Sequence, residues 1–535
     1  METTFDVPRG FVLPELSGPG GIREIGGARE EHLEATYFDT DDLRLLRRGI
    51  TLRRRTGGSD DGWHLKLPVP DDTPGGGARR DEVRLPDGRA TRTVPPALAG
   101  RVSVHTRGQP LAPVVRLRTR RVERPVLGPD GQVLATIAED RVSASAPAPD
   151  GSSTSVTAWS EIEVELVEGG PSLLTTIAGR LHDAGASTSA VPSKAARALA
   201  DRLKELDAHH PAPEGSGTGP TVERPRAAGP VRAGRAGAVV LEHLAAHVRR
   251  LQNHDPLVRA DEADAVHQMR VATRRLRSAL ATFRLLFDRT VTDPLREELR
   301  WLGSVLGAAR DAEVIRDHLR AVVRAEPPDL VLGPVQSRIV TALGTRYRTA
   351  HDAVLAELDG ARYYALLDAL DQFLADPPVT AAAAGRPDDV LLPLVAKTWR
   401  RLCRLQAAIP PDDAARTDPV SGRDRRDAAL HEVRKAAKRA RYAAEALAAR
   451  YGRSATRWAR RMEAIQEALG AHQDTVVIRE TLRELGVAAH LDDENAFSYG
   501  RLHALEQARG VATTQEFGAA WDRAAKAGLH RWLTR

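Results

Sequence analysis

The sequence predicts an α+β multidomain chain: an antiparallel, β-rich N-terminal domain tethered to an all-α C-terminal domain of two pseudo-symmetric helical bundles. Three observations predict it. Up to residue 206, short segments of alternating polar and apolar residues are punctuated by Gly-, Pro- and Asp-rich turns, the period-two signature of half-buried strands. Residues 207–230, "DAHHPAPEGSGTGPTVERPRAAGP", lack apolar periodicity and read as a linker. From 231 to 535 apolar residues recur at helical spacing, and one motif occurs twice, as "HQMRVATRRLR" from His267 and "HEVRKAAKRAR" from His431.

The chain's 535 residues, 42% hydrophobic and 28% charged, suffice for several cores of a globular protein. Seven lysines stand against seventy-one arginines, and the formal charge is +6. That balance permits a polyanionic partner, and the clustering of the cations matters more than their total. Cys403 is the only cysteine, which excludes a disulfide scaffold, a cysteine-rich zinc site and an iron–sulfur cluster, and fits a reducing compartment. The opening "METTFDVPRG" has no signal-peptide pattern, and no uncharged apolar run reaches the roughly 18 residues of a membrane span. The expected location is the cytoplasm, without membrane contact.

The strand candidates in order are "EATYFDT", "ITLRRRT", "GWHLKLP", "DEVRLP", "PVVRLRTRRVERPV", "VLATIAEDRVSA" and "WSEIEVELVEG". Helical "SLLTTIAGRLHDAG" and "SKAARALADRLKEL" follow. Alternate strand residues share a face, so Glu161, Glu163 and Glu165 fall together, as do Arg53 with Arg55. The same rule groups Arg116, Arg118 and Arg120, then His64 with Lys66, and Arg80, Glu82 and Arg84. Any one such strand reads as a solvated sheet face. Several together suit a barrel with a charged interior, in which three carboxylates on one face call for a cation.

In the helical half, His267, Arg270, Arg274 and Arg277 lie within roughly 80° of arc, with no acidic residue between Val266 and Arg277. The second copy matches without gaps: His267 with His431, Arg270 with Arg434, Arg274 with Lys438, Arg275 with Arg439, Arg277 with Arg441. Downstream, "LGAARDAEVI" from Leu306 matches "LGAHQDTVVI" from Leu469, pairing Asp311 with Asp474. The repeats divide at about 231–400 and 401–535, and their basic faces are expected to meet in one concave surface. Neither histidine has a second His or a carboxylate three or four residues on, which argues against metal binding there. Asp311 and Asp474 are expected to orient arginines, and Trp301, Trp399 and Trp458 to sit in the core.

The segment "YFDTDDLRLLRRGITLRRRTGGSDDGWHLKLP", followed in order by "AEDRV", "SEIEVELVEGG" and "SKAARAL", resembles the CYTH domain of triphosphate tunnel metalloenzymes. The doubled "HxxR…(R/K)…R" helix with "LG…D" resembles the CHAD domain, associated with inorganic polyphosphate. The resemblance implies an eight-stranded antiparallel tunnel that binds a triphosphate chain and promotes attack by water at phosphorus with Mg²⁺ or Mn²⁺. It implies Arg53, Arg55, Lys66, Arg118, Arg120 and Lys194 as tunnel phosphate ligands. Glu161, Glu163, Glu165 and Asp140 become metal-side carboxylates; Glu2, Lys66, Glu163 and Glu165 become catalytic residues, with Glu82 a further tunnel residue. For the helical domain it implies polyphosphate contacts from His267, Arg270, Arg274, Arg277, His431, Arg434, Lys438 and Arg441, and association with polyphosphate granules.

The ExExK signature of the tunnel family is incomplete. Glu2 stands for its second glutamate, the first would precede Met1, and Thr4 replaces the lysine. Phosphate binding is therefore expected to survive better than hydrolysis. Two other readings compete. A nucleic-acid binder lacks stacking platforms, since aromatics make up 4% of the chain and none interleaves with the basic helices. A cyclase acting on ATP would need an adenine pocket that no motif supplies.

Overall fold

The computed structural model describes residues 2–58, 60–68, 80–86, 93–147, 153–209, 233–411 and 421–534. The chain divides into two compact units, 1–218 and 219–535.

The first unit is one antiparallel sheet of ten strands. Eight have five residues or more: β1 Glu2–Asp6, β3 Arg29–Asp39, β4 Thr51–Thr56, β5 Gly62–Pro68, β6 Arg80–Pro86, β7 Ala112–Leu127, β8 Val133–Pro147 and β9 Thr154–Leu166. Two short strands, β2 Glu24–Ile25 and β10 Ser187–Thr188, pair with β7 and β1. The order is β10-β1-β9-β8-β7-β3-β4-β5-β6; among the described residues no ladder joins β6 back to β1, and the sheet curls far enough for Glu2 of β1 and Lys66 of β5 to act on one another.

Alternation divides the two faces. On the outer face Phe5, Ile137, Ile162 and Val164 pack with Leu174, Ile177 and Leu181 of α2 (Pro171–Asp183). Farther along that face Leu52, Trp63 and Leu65 bury against Leu98 and Val102 of α1 (Pro96–Thr106). The inner face changes character along its length. At one end it is apolar, with Ala35, Tyr37, Leu117, Val142 and Ala144 covered by Ala195 of α3 (Lys194–Ala198), Leu203 of α4 (Ala200–His209) and Leu199 between the two helices. Beyond that plug it is charged. Helix α4 also carries the fold three residues into the segment expected as linker; residues 210–232 lie outside the described residues.

The second unit is all helical: α5 Ala236–Arg259, α6 Ala265–Thr282, α7 Arg289–Ala325, α8 Val335–Leu358, α9 Ala361–Ala375, α10 Pro387–Ala407, α11 Ser421–Glu445, α12 Ala448–Leu491 and α13 Phe497–Ala524. The basic helices are amphipathic for a simple reason. In α6, Val266, Met269, Ala272, Thr273, Leu276 and Leu280 are buried at three- and four-residue spacing, leaving the arginine face free. Helix α6 packs against α7 as α11 packs against α12, which is the internal repeat in space. The boundary expected at residue 400 falls inside α10, a continuous helix that packs on α11 as α5 packs on α6. Of the three tryptophans, Trp458 is fully buried; Trp301 is half-buried beneath the Arg362 guanidinium, 4.3 Å from its ring.

Candidate functional site

The charged end of the inner sheet face is built by register. Thr4 lies opposite Glu163 and Glu2 opposite Glu165 across β1 and β9; Asp140 lies opposite Glu161 across β8 and β9, and Arg121 opposite Asp140 across β7 and β8. On the other side of the curl, Arg53 pairs in register with His64 and Lys66 with Glu82. The Glu2 carboxyl is raised above its usual value by desolvation and by Glu163, with Lys66 opposing, so β1 and β5 look onto the same interior.

Asp140, Glu161 and Glu163 each offer an oxygen within 4.8 Å of the others. Two basic side chains hold them together. The Lys194 ammonium, at the first position of α3, lies 3.0 Å from Asp140 and 2.5 Å from Glu161 and also donates to Glu163. The Arg121 guanidinium bridges Asp140, 2.6 Å away, and Glu163. Burial works against the Lys194 charge, but the three carboxylates outweigh it and raise its pKa. Burial also works against the Glu163 carboxylate, and Lys194 and Arg121 reverse that effect. An all-oxygen donor set of this kind, with Asp140 and Glu161 buried and Glu163 half-buried, fits a hard divalent ion such as Mg²⁺ or Mn²⁺. Glu165 is exposed and stands outside the three-carboxylate group.

Across the interior, the Arg55 guanidinium pairs with Asp60, and His64 Nδ1 lies 2.9 Å from Glu82. The His64 hydrogen bond holds the Glu82 carboxyl well below its usual range. Arg53 bonds the Tyr37 hydroxyl at 3.2 Å, and neither Arg53 nor Lys66 forms an ion pair among the described residues. Those two cations are the ones left for an incoming anion. Arg118 and Arg120 correct the expectation. They project from the opposite face of β7, side chains 71% and 46% exposed, paired with Glu34 and Glu30. The residue of β7 that reaches the acid cluster is Arg121, one register step away and absent from the residues expected there.

In the second unit the two basic helix faces line one cavity of about 920 Å³, between α6, α7 and α11. Nine Arg and Lys side chains line it against two carboxylates, Glu297 and Asp311. Of the expected residues Arg270, Arg274, Arg277, His431, Arg434 and Lys438 are there. His267 is outside the lining, beside Arg310 and Asp264. Arg441, the repeat partner of Arg277, is withdrawn into ion pairs at 2.7 Å with both Glu445 and Glu463. Arg296, Arg300, Lys435 and Arg439 complete the cationic lining. The signal for Arg296 and Arg300 was their four-residue spacing on the next helix, which places both on one side of α7.

The geometry explains the "LG…D" element. A Cβ built on Gly307 would lie 3.3 Å from Arg270 Nη2, and one on Gly470 would lie 3.3 Å from Arg434 Nη2. Each glycine thus lets the motif arginine lie flat across the neighbouring helix. Asp311 holds Arg270 at 3.3 Å. Burial raises the Asp474 carboxyl, with Arg434 opposing. Lys438 receives no such support. Burial, followed by Arg274, Arg434, Arg270 and Arg277, pushes its pKa down to about 7. Burial and neighbouring cations also lower His267 and His431. Tyr442 also lines the cavity, but its hydroxyl accepts from Arg274 at 2.6 Å and that guanidinium covers its ring, so it is no base-stacking platform.

Residues 23–199 match the sequence model of the CYTH domain and residues 242–483 that of the CHAD domain. Two proteins of Mycobacterium tuberculosis, from strains CDC 1551 / Oshkosh and ATCC 25618 / H37Rv, both described as uncharacterized, are each 36% identical to this chain over 517 residues, 95% of this chain and 92% of theirs. Among solved structures, PptA from Streptomyces chartreusis is 24% identical with a TM-score of 0.46, covering 54% of this chain and 99% of its own. The CHAD domain from the plant Ricinus communis is 25% identical with a TM-score of 0.42, covering 59% and 97%. No helix among the described residues is long and apolar enough to cross a membrane.

Proposed function

Because the chain belongs to the family of proteins that join an N-terminal CYTH domain to a C-terminal CHAD domain, we propose that it binds inorganic polyphosphate in the helical cavity and binds and hydrolyses tripolyphosphate, or a related triphosphate, in the curled sheet. The observation that carries the reading is the cavity with nine cations against two carboxylates. Self-repelling guanidinium groups stay together at a cost, and a phosphate chain removes it by accepting bidentate hydrogen bonds and releasing its own counterions.

In the sheet, Arg53 and Lys66 hold phosphoryl oxygens from one side. Asp140, Glu161 and Glu163 would hold Mg²⁺ or Mn²⁺ on the other, which when bound supplies charge neutralisation at the phosphoryl group under attack. Lys194 and Arg121 then shift part of their hydrogen bonding from carboxylate to phosphate oxygens. A water oxygen bonds to phosphorus as the phosphoanhydride P–O bond breaks, and Glu2, whose carboxyl is raised by desolvation and by Glu163, accepts the water's proton. Thr4 leaves that side of the interior without the family's lysine, which favours a second reading: a sheet that binds triphosphate without turning it over.

Phosphate release from tripolyphosphate with Mg²⁺, Mn²⁺ or EDTA, beside the Glu163→Ala/Glu165→Ala variant, decides between them. Metal-dependent release lost in the variant supports hydrolysis; no release with intact polyphosphate binding supports the binding module. Reversing Arg270, Arg274, Arg434 and Lys438 to Glu abolishes polyphosphate binding and spares any hydrolysis. Equal loss of both in a folded variant sinks the two-site reading.

A further inference from the structure

Besides Arg277 and Arg441, the internal repeat loses its symmetry at a further charged position. In the first repeat Arg275 of α6 is neutralised by Glu445 near the end of α11, 2.9 Å away. In the register that matches His267 with His431, Arg275 becomes Arg439 and Glu445 becomes Ala281. The carboxylate is missing. Arg439 Nη2 instead donates to the Ala281 carbonyl at 2.9 Å.

The neighbouring helices widen the difference. Helix α5 presents His243, His247 and Arg250 toward Arg275, and burial pushes the two imidazoles down to about 4 and about 2, uncharged at neutral pH. Helix α10 carries Lys397, Arg401 and Arg404 at the same spacing, and Arg284 follows the end of α6. Among the described residues none of Arg284, Lys397, Arg401, Arg404 and Arg439 forms an ion pair. With Ala281 and Thr282 they line a second cavity of about 260 Å³. Thr282 is only 6% exposed, and its hydroxyl has no hydrogen-bond partner. Ala281 and Arg439 also line the larger cavity, so the two are contiguous.

We propose that the junction of α6, α10 and α11 is a second anion site, holding a phosphoryl segment of the same polyphosphate chain that fills the main cavity. This rests on the polyphosphate reading above. The arginine forks take phosphoryl oxygens in pairs, the Thr282 hydroxyl donates its idle hydrogen bond, and Arg439 is shared where the chain crosses. The first repeat, neutralised by Glu445, offers no counterpart. One face of the pseudo-symmetric domain therefore gains affinity with chain length.

The test is calorimetric titration of the full-length protein with long-chain polyphosphate at several salt concentrations. Arg401→Glu/Arg404→Glu alters two exposed residues confined to the second site. Arg453→Glu/Arg457→Glu, exposed on α12 outside both cavities, makes the same change in net charge. The expected result is about a tenfold loss for the first pair, a salt slope shallower by about two, and less than about a twofold loss for the control. Ala281→Glu, which restores the carboxylate of the other repeat and removes no cation, weakens binding as well. Equal affinities for both pairs, or an unaffected Ala281→Glu, overturn the second site and leave the main reading standing. A wild-type protein that binds no polyphosphate overturns the main reading itself.

Discussion

The two units solve the same electrostatic problem in opposite ways. In the sheet interior most cations are already satisfied: Arg121 and Lys194 hold Asp140, Glu161 and Glu163, Arg55 holds Asp60, and His64 holds Glu82. In the helical cavity Arg277, Arg434 and Lys438 form no ion pair among the described residues, and Lys438 sits among four arginines. The first arrangement stabilises the fold and competes with a ligand. The second destabilises the fold and is relieved by one. Removing a cation should therefore change stability with opposite sign in the two places.

That sign is the largest effect to look for. Lys194→Ala leaves Asp140, Glu161 and Glu163 with Arg121 as their one remaining cation among the described residues and is expected to cost about 3–5 kcal/mol of unfolding free energy, the usual penalty for breaking a buried pair from one side. Lys438→Met removes a buried, unpaired amine and is expected to raise stability by on the order of 1 kcal/mol. Denaturant melts of the two variants without ligand read both numbers. A parallel fall in both breaks the comparison.

The pH dependence of polyphosphate binding sharpens it. Burial, followed by the four surrounding arginines, pushes the Lys438 pKa in the free protein from the ordinary lysine value of 10.5 down to about 7, and a bound polyanion restores its charge. Above pH 7 each binding event must then take up a proton, so affinity falls by up to about tenfold per pH unit; below it Lys438 is charged in both states and contributes no slope. The unfolded chain keeps the proton that the folded chain loses, so ligand-free stability rises with pH across the same window. Lys438→Arg is expected to flatten the binding profile between about pH 6 and pH 9 at constant ionic strength. A slope unchanged in that variant assigns the proton elsewhere. His431, which lines the cavity and is lowered from 6.5 by burial and neighbouring cations, adds affinity as falling pH protonates it; His267 stands outside the lining.

Gly307→Ala and Gly470→Ala probe how the cavity's arginines are seated. An added methyl meets the end of a flexible side chain, so Arg270 or Arg434 is displaced while the helix gains about 1 kcal/mol of propensity. The expected outcome is a higher melting temperature together with a loss of polyphosphate affinity on the order of threefold. Affinity that survives both substitutions would show that the flat seating is incidental.

The architecture was legible because it rests on periodicity. Alternation gave the strands, three-and-four spacing gave the helices, and a duplicated motif gave the two bundles. The residues facing the cavity from α6 followed from helical arc alone, since Arg270, Arg274 and Arg277 could share only one face. What sequence could not supply was which of two equivalent positions is neutralised. Arg441 matches Arg277 in the repeat, yet Glu445 on its own helix and Glu463 on the next withdraw it. Lys194 was read as a phosphate ligand, and only the fold reveals that α3 delivers its ammonium into the carboxylates. A linear pattern records spacing; these outcomes depend on long-range pairs.

β7 is where a period of two left a genuine choice of face, and it yields the smallest expected effect. "VVRLRTRR" offers arginines of both parities, Arg118 and Arg120 on one face and Arg121 on the other. Leu117, in the apolar end of the inner face with Val142 and Ala144, decides the matter, because Arg121 shares its parity. Arg118→Ala with Arg120→Ala removes exposed pairs to Glu34 and Glu30, and exposed pairs contribute little. The double variant is expected to keep its melting temperature and its tripolyphosphate affinity within measurement scatter. Arg121→Ala, by contrast, unties Asp140 from Glu163 and lowers both. A loss of tripolyphosphate binding from the outer pair would put the ligand on the solvent face of β7 and overturn the assignment of the interior.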